Sequence, residues 1–426
     1  MSTYQGHTIP LGLAVFVAIG TLNVFEAAAC AGEKSSPCVA VVERQVTESI
    51  SPFHKAIYAN TNGNRLISDR HQSDDNGKMW QPLRSHAKLF EGLPHGYRRG
   101  PTTGMLDEKD NRVLWIVNSL DTPELDPKIA EPPIAQQTYY LRYRVSTDGG
   151  RTWLCDDPII GQGNFNAQHP FEDLWVGKNA IYLGDLGSRP ITTRGGRILV
   201  PAQMTVLDSS GSLYKPPKAH TYTEAVVLIG QWTEDHRITW RMSQRVKGDE
   251  TLSCRGMIEP TLAELPDGRL VMVMRGSNSH DKNIPARRWI SISNDQGETW
   301  SDPRPWGYDD GSSFYSPSSM SSLIRHSSGR IFWVGNISPE NAFGNAPRFP
   351  LVIGEVDLKS LQLIRGSLVT LDDQSEADRQ RGRLDLSHVH LLEDRLTGEL
   401  IVSYVRGINS YKSREYALVR LALSTP

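Results

Sequence analysis

One eight-residue pattern constrains this chain more than any other feature. Ser-x-Asp-x-Gly-x-x-Trp occurs three times without a mismatch: at Ser73, Asp75, Gly77 and Trp80; at Ser146, Asp148, Gly150 and Trp153; and at Ser293, Asp295, Gly297 and Trp300. A degraded copy, Thr233, Asp235, Arg237 and Trp240, keeps the Asp-to-Trp offset. The octet makes physical sense as a hairpin turn. Its Ser and Asp oxygens can accept hydrogen bonds from turn N–H groups. Its Gly takes a positive φ at no steric cost, and its Trp has a large ring to bury beside the next unit. Each copy is therefore a structural turn with no chemistry of its own.

A second pattern lies between the turns. The stretch from Pro260 to Arg275 (PTLAELPDGRLVMVMR) has the form of a strand, an Asp-Gly hairpin and a second strand. Similar pairs start at Pro101, Pro190, Pro317 and Ser387, and an earlier one fits Ile57 to Ile67, which makes six units. A loop and a further strand follow each hairpin, as at Tyr139–Ser146, Thr223–Leu228 and Arg288–Ser293. Four strands per unit, repeated radially, make a propeller blade. The expected fold is all-β, a six-bladed β-propeller with four antiparallel strands per blade, over residues 45–426. The 36 glycines, 26 prolines and 10 tryptophans suit such a turn-rich chain.

In a propeller the innermost strands face the axis, and their ends share one funnel. The inner hairpins start at Arg99, Arg189, Glu259, Ser316 and Ser387–His388, and their second strands end at Asn118, Gln203, Arg275, Asn336 and Arg406. Convergent polar groups at a concave hub make a binding site. These positions are the expected substrate-binding set, with Arg99, Arg189, Asn118, Gln203, Asn336, His388 and Arg406 reaching the ligand.

The octet matches the Asp-box of the sialidase (neuraminidase) superfamily, and from about residue 45 onward the order of boxes and strand pairs resembles that family. The resemblance implies a catalytic set. Ile258-Glu259-Pro260 followed by Val273-Met274-Arg275 is similar to the family stretch in which a Glu serves as base toward a tyrosine nucleophile and an Arg helps grip the sugar carboxylate. Arg348, in NAPRFPL, stands where the family places the last arginine of that grip. A guanidinium suits the task because its planar fork meets a carboxylate with two bonds.

The chain also departs from the family. The first arginine motif is missing from the first blade, and Arg99-Gly-Pro101 comes one blade late. Where the family has Tyr-Ser in the last blade, this chain has Asp385-Leu386-Ser387-His388, whereas Tyr315-Ser316 opens the fifth. Arg406 replaces a supporting Glu. The acid/base aspartate could be Asp69, Asp121 or Asp126, and His169, His388 or His390 could move protons near neutral pH. The expected function is therefore a sialidase-like glycoside hydrolase on terminal acidic sugars, sialic or uronic. The alternatives are a non-catalytic glycan-binding propeller, a lyase on uronate polymers, and a protein-docking ring.

Residues Ile9 to Phe25 are apolar except for Thr21 and Asn23, and three alanines follow at Ala27–Ala29. That is the layout of a signal peptide. Residues 1–29 are expected to be cleaved, residues 30–44 to form a linker, and the chain to be secreted or periplasmic. Cys30 leaves a lipid anchor as the only membrane attachment. Without Cys30, the remaining Cys38, Cys155 and Cys254 have neither a disulfide framework nor metal spacing. A net charge of -2 gives no case for nucleic acid. No phosphate loop, nucleotide fingerprint or metal motif appears, so no cofactor or metal is expected. The partner is an acidic glycan and the chain a monomer.

Overall fold

The computed structural model describes residues 37–83, 98–119, 135–217 and 219–424, with 98–102 and 135 given by backbone alone. The expected signal peptide (1–29), Cys30, Asp121 and Asp126 lie outside the described residues. Six antiparallel sheets follow one another along the chain, five of four strands and the third of five because its inner strand is split in two. The first spans Ile57 to Pro82, the second Arg98 to Pro158, the third Ile181 to Met242, the fourth Ile258 to Pro305 and the fifth Ser322 to Asp372. The sixth takes three strands between Leu384 and Leu423. Its fourth, Val39–Thr47, comes from the start of the described chain and pairs antiparallel with Ser413–Leu423. The linker expected to run to residue 44 is corrected accordingly: from Val39 it is the outer strand of the last blade. It pairs with what would otherwise be an open edge.

Each blade is too thin to have a core of its own, and the apolar faces of neighbours supply it. Six buried clusters fill the six interfaces. Leu114, Ile116 and Leu141 of blade 2 meet Ile198, Val200 and Leu228 of blade 3. Tyr58 and Leu66 of blade 1 meet Leu392 and Ile401 of blade 6, which closes the ring. The octets behave as turns. Ser146 Oγ donates to Asp148 Oδ1 at 2.7 Å and accepts from the Gly150 N–H at 2.8 Å, and the same carboxylate oxygen accepts from the Thr152 N–H at 2.9 Å. Gly150 sits at φ 78°. The tryptophans pack on the preceding blade, not on the next as expected: Trp240 of blade 3 meets Tyr143 of blade 2 edge-on at 5.5 Å. Cys38, Cys155 and Cys254 are buried free thiols.

The inner strands all run the same way along the axis. One cavity is lined by Lys55, Leu186, Met320 and His388, and a second by Tyr58, Ile191, Ile324 and Leu392, further along the same four strands. The loops entering the inner strands therefore gather at one mouth.

Candidate active site

That mouth opens into a cavity of about 620 Å³, within the range of small-ligand sites. Two local irregularities shape it. Inner strands that ran straight would point alternate side chains at the axis, but blades 4 and 6 each carry a bulge at the entry, between Ile258 and Thr261 and between Ser387 and His390. Glu259 and His388 occupy these bulges at φ 48° and 53°, a region disfavoured for residues with a Cβ. Blade 2 has a bulge at the same place, between Arg98 and Thr102. Arg99 lies on this backbone, and its side chain is outside the described residues. In blade 3 the inner strand is interrupted: Ile181–Tyr182 and Ile191–Thr192 both pair with Ile198–Thr205. The break between them holds Asp185 against the cavity.

Arg275 and Arg348 line this cavity, as does His388. Arg275, at the end of its strand in blade 4, pairs with Glu259 and donates from Nε to Ser318 Oγ at 2.8 Å. Burial holds its guanidinium down to about 10, against the pull of Glu259. Glu259 backs the wall behind it. Its backbone N–H donates to Gln203 Oε1 at 2.7 Å, while its Oε2 is buried without a partner. Gly184 lets the blade 3 backbone pass beside this carboxylate: a Cβ there would lie 2.3 Å from Glu259 Cγ.

Arg348 is held by its backbone. Its carbonyl accepts from the Leu386 N–H at 3.0 Å and from Asn336 Nδ2 at 3.0 Å. Its side chain donates to the Asn345 carbonyl at 3.2 Å and approaches the Tyr411 and Ser387 hydroxyls at 3.4 and 3.5 Å. Among the described residues it meets no carboxylate in a salt bridge. Lys55, Arg70 and Arg414 add positive charge to the lining, against Asp69 and Asp185. Asp69 is 3.2 Å from Lys55 Nζ, and Asp185 is 2.9 Å from His388 Nδ1. The cavity therefore has an excess of cationic groups, which suits an anionic ligand.

Five expected contacts are corrected. Asn118, Gln203 and Asn336 are buried, and none lines the cavity. They act as clamps between blades. Asn118 takes both backbone groups of Leu183, accepting from its N–H at 2.8 Å and donating to its carbonyl at 3.0 Å. Gln203 holds Glu259, and Asn336 reaches the Leu386 carbonyl at 3.3 Å. Their polarity at strand ends answers the next blade's backbone, not a ligand. Arg406 is locked by Asp372, Asp378 and Glu415 on the flank of blade 6. Arg189 points to the opposite mouth, where it lines the second cavity and donates to the Leu391 carbonyl.

Other readings find their places. Tyr315 sits under the Arg287 guanidinium, away from the hub. His169 stacks on Trp175 at 4.5 Å, outside the cavity. His390 is buried, which keeps it well below the usual imidazole range. His54 lines the cavity, but burial lowers it to about 4 and Ser403 Oγ lies 3.1 Å from its Nδ1. Sequence reasoning missed Tyr411 and Asp185. Burial pushes the Tyr411 phenol up, with Arg348 opposing. It sits in a turn where Asn409, Ser410 and Tyr411 all have positive φ, and nothing in a hairpin turn marks a tyrosine as facing inward. For Asp185 a signal was present: the glycines Gly184 and Gly187 flank it just ahead of the Pro190 hairpin.

The sequence matches the BNR repeat-like domain over residues 127–378. No curated protein sequence matches the chain. Among solved structures, the Hadza microbial sialidase Hz136 is similar at 18% identity and TM-score 0.52, with 89% of this chain and 65% of that chain covered. The NanB sialidase from Streptococcus pneumoniae is similar at 12% identity and TM-score 0.48, over 91% and 69% of the two chains. The GH93 α-L-arabinofuranosidase of Fusarium graminearum is similar at 12% and 0.47, over 83% and 84%. At these identities the likeness is one of fold. The chain spans 65% of the length of the Hadza sialidase. The domain match runs from the outer strands of blade 2 through blade 5, over more than half of the chain, and makes this chain a member of the BNR repeat-like family.

Proposed function

We propose that the chain is a glycoside hydrolase that takes the terminal acidic sugar of a glycan into the hub cavity. One observation carries this reading: Arg275 and Arg348, 73 positions apart in the chain, line one cavity whose charge is in excess positive. Arg348 has no carboxylate partner of its own among the described residues, so a ligand carboxylate supplies the missing charge without displacing a protein one. Glu259 holds the Arg275 guanidinium in place from behind the wall. Asp69 offers a carboxylate on the cavity wall for direct hydrolysis by water. Export through residues 1–29 belongs to the same reading.

The test is binding and turnover with sialosides and glucuronides. The expected result is that Arg348→Gln weakens binding of the free acidic sugar about 30-fold or more, the scale of a lost charge-assisted pair, and leaves the unfolding midpoint within a few degrees. Equal affinity for a neutral sugar of the same shape, or wild-type affinity in the variant, overturns the reading. Binding without turnover on every substrate favours a glycan-binding propeller.

A lyase is favoured by one feature, the Tyr411 ring 5.7 Å from the His388 ring and its hydroxyl beside Arg348. There the arginine would neutralise a uronate carboxylate while a neighbouring base removed the adjacent carbon-bound proton. An unsaturated product from a uronate polymer identifies that outcome.

A further inference from the structure

Gripping a carboxylate needs the two arginines, but it does not need the histidine–aspartate pair beside them. His388 contacts Asp185 through Nδ1, at 3.2 Å to Oδ1 and 2.9 Å to Oδ2. The two residues are 203 positions apart, on blades 6 and 3. Asp185 is itself fixed, accepting the Leu186 N–H at 2.6 Å. With Nδ1 committed, the imidazole carries its other nitrogen free: Nε2 has no protein partner among the described residues. The His388 side chain is 41% exposed, while that of Asp185 is 13% exposed. The ring is thus presented to the cavity with its support behind it. It is held there by a left-handed backbone at a bulge, a conformation that persists only where surrounding structure imposes it.

We infer that His388, oriented by Asp185, is the proton donor to the leaving oxygen in the hydrolysis proposed above. The inference rests on that reading of the cavity. In the step, the Nε2 proton moves to the glycosidic oxygen as its bond to the anomeric carbon breaks. Water supplies the new hydroxyl at that carbon, and the proton it releases restores the imidazolium. Asp185 is a positioning residue: it fixes the Nδ1–H tautomer and stabilises the charged ring.

The surroundings support this assignment. Asp185 raises the His388 imidazole above its usual value, against desolvation and the Arg348 charge, and Glu259 adds to the rise. Tyr411 packs on the ring, and His54 faces it from the entry to blade 1. Burial would raise the Asp185 carboxyl, but the His388 charge outweighs it and holds it below the usual range. His388 is therefore the hub histidine whose charged form the surroundings favour, whereas burial disfavours the charged forms of His54 and His390.

The experiment compares wild type, His388→Asn and Asp185→Asn on aryl and alkyl glycosides of one acidic sugar, chosen to span leaving-group acidity. Asn tolerates the left-handed backbone at 388, and thermal unfolding of each variant checks the fold. Loss of a general acid costs about 10²–10⁴-fold. His388→Asn should show that loss on the alkyl glycosides and nearly none on the most acidic aryl leaving group. Asp185→Asn should move the alkaline limb of the kcat/KM profile down by about one pH unit, as expected for removal of a neighbouring opposite charge. The same loss on every leaving group, or an alkaline limb unmoved in Asp185→Asn, overturns the assignment and leaves the acidic-sugar reading standing. A wild type that turns over no acidic glycoside sinks both.

Discussion

Arg275 ends the second strand of blade 4 and Arg406 lies near the end of the corresponding strand of blade 6, yet they sit in opposite kinds of surroundings. On the flank of blade 6, three carboxylates surround Arg406: Asp372, Asp378 and Glu415. Burial works against its charge, but the bonds to Asp372 and Asp378 outweigh this and raise it. At the hub, Arg275 has one carboxylate, Arg348 has none among the described residues, and both face open space. A repeat dictates where a side chain starts. The local inventory of opposite charge decides whether it is a structural bolt or a grip held open for a ligand. Where the protein supplies every counter-charge, the arginine is locked in place; where it withholds one, the guanidinium is left for the role proposed above.

The largest expected effect tests the closed side of that contrast. Arg406→Met strands buried carboxylates, and removing one partner of a buried pair costs about 3–5 kcal/mol. Denaturant unfolding should show a loss of that size with acidic-sugar affinity kept in the folded fraction. A loss under about 1 kcal/mol would show that Asp372 is content with Arg44 and Tyr404 alone.

A second test lies within the hub, where His54 is a buried neutral ring. Its folded value of about 4 lies below the ordinary 6.5, so the unfolded chain binds the extra proton first as pH falls. Its contribution is complete above about 6.5 and is lost as pH drops toward 4, by roughly 2–3 kcal/mol. Asp378 and Glu415, both held below their usual values, lose their contributions at lower pH still. His54→Gln should make the fall in stability between pH 6.5 and 4 shallower, with the remainder left to the buried His390. An unchanged slope would mean that His54 is protonated in the folded protein.

The smallest effect concerns the clamps. Asn118→Ala leaves both backbone groups of the Leu183 peptide unit's residue unanswered, at about 1–2 kcal/mol. Because Leu183 begins the break that carries Asp185, the variant should also weaken the hub's function more than an equally destabilising change in an outer strand. Matching losses in both would confine Asn118 to stability.

The blades were legible because turn chemistry and strand alternation are local. Ser146, Asp148 and Gly150 make their bonds within five residues, and the Asp-Gly hairpin at residues 267–268 needs nothing distant. The site was legible only in part. Arg275 and His388 could be placed at the mouth from strand order and Arg348 from the family resemblance, and all three line the cavity. Asn118, Gln203 and Asn336 carry the same polar signature at the same strand ends, and the sequence does not show that the next blade's backbone would claim their amides. Asp185 and Tyr411 were hidden for a different reason. Each is aimed by a departure from the repeat, an interrupted strand or a left-handed turn, so a pattern that looks for regularity passes over them.

The pairing of Val39–Thr47 with Ser413–Leu423 has a consequence for how the chain is made. Val39–Thr47 must wait, unsatisfied, until residues 413–423 are synthesised before its amides find partners. Until then Val39–Thr47 is an unpaired strand, and without it Ser413–Leu423 would be an open edge that invites pairing with another molecule. Contacts so remote in sequence slow assembly. Trimming the N-terminus past Val39 should therefore show first as aggregation of newly made chains rather than as a damaged hub.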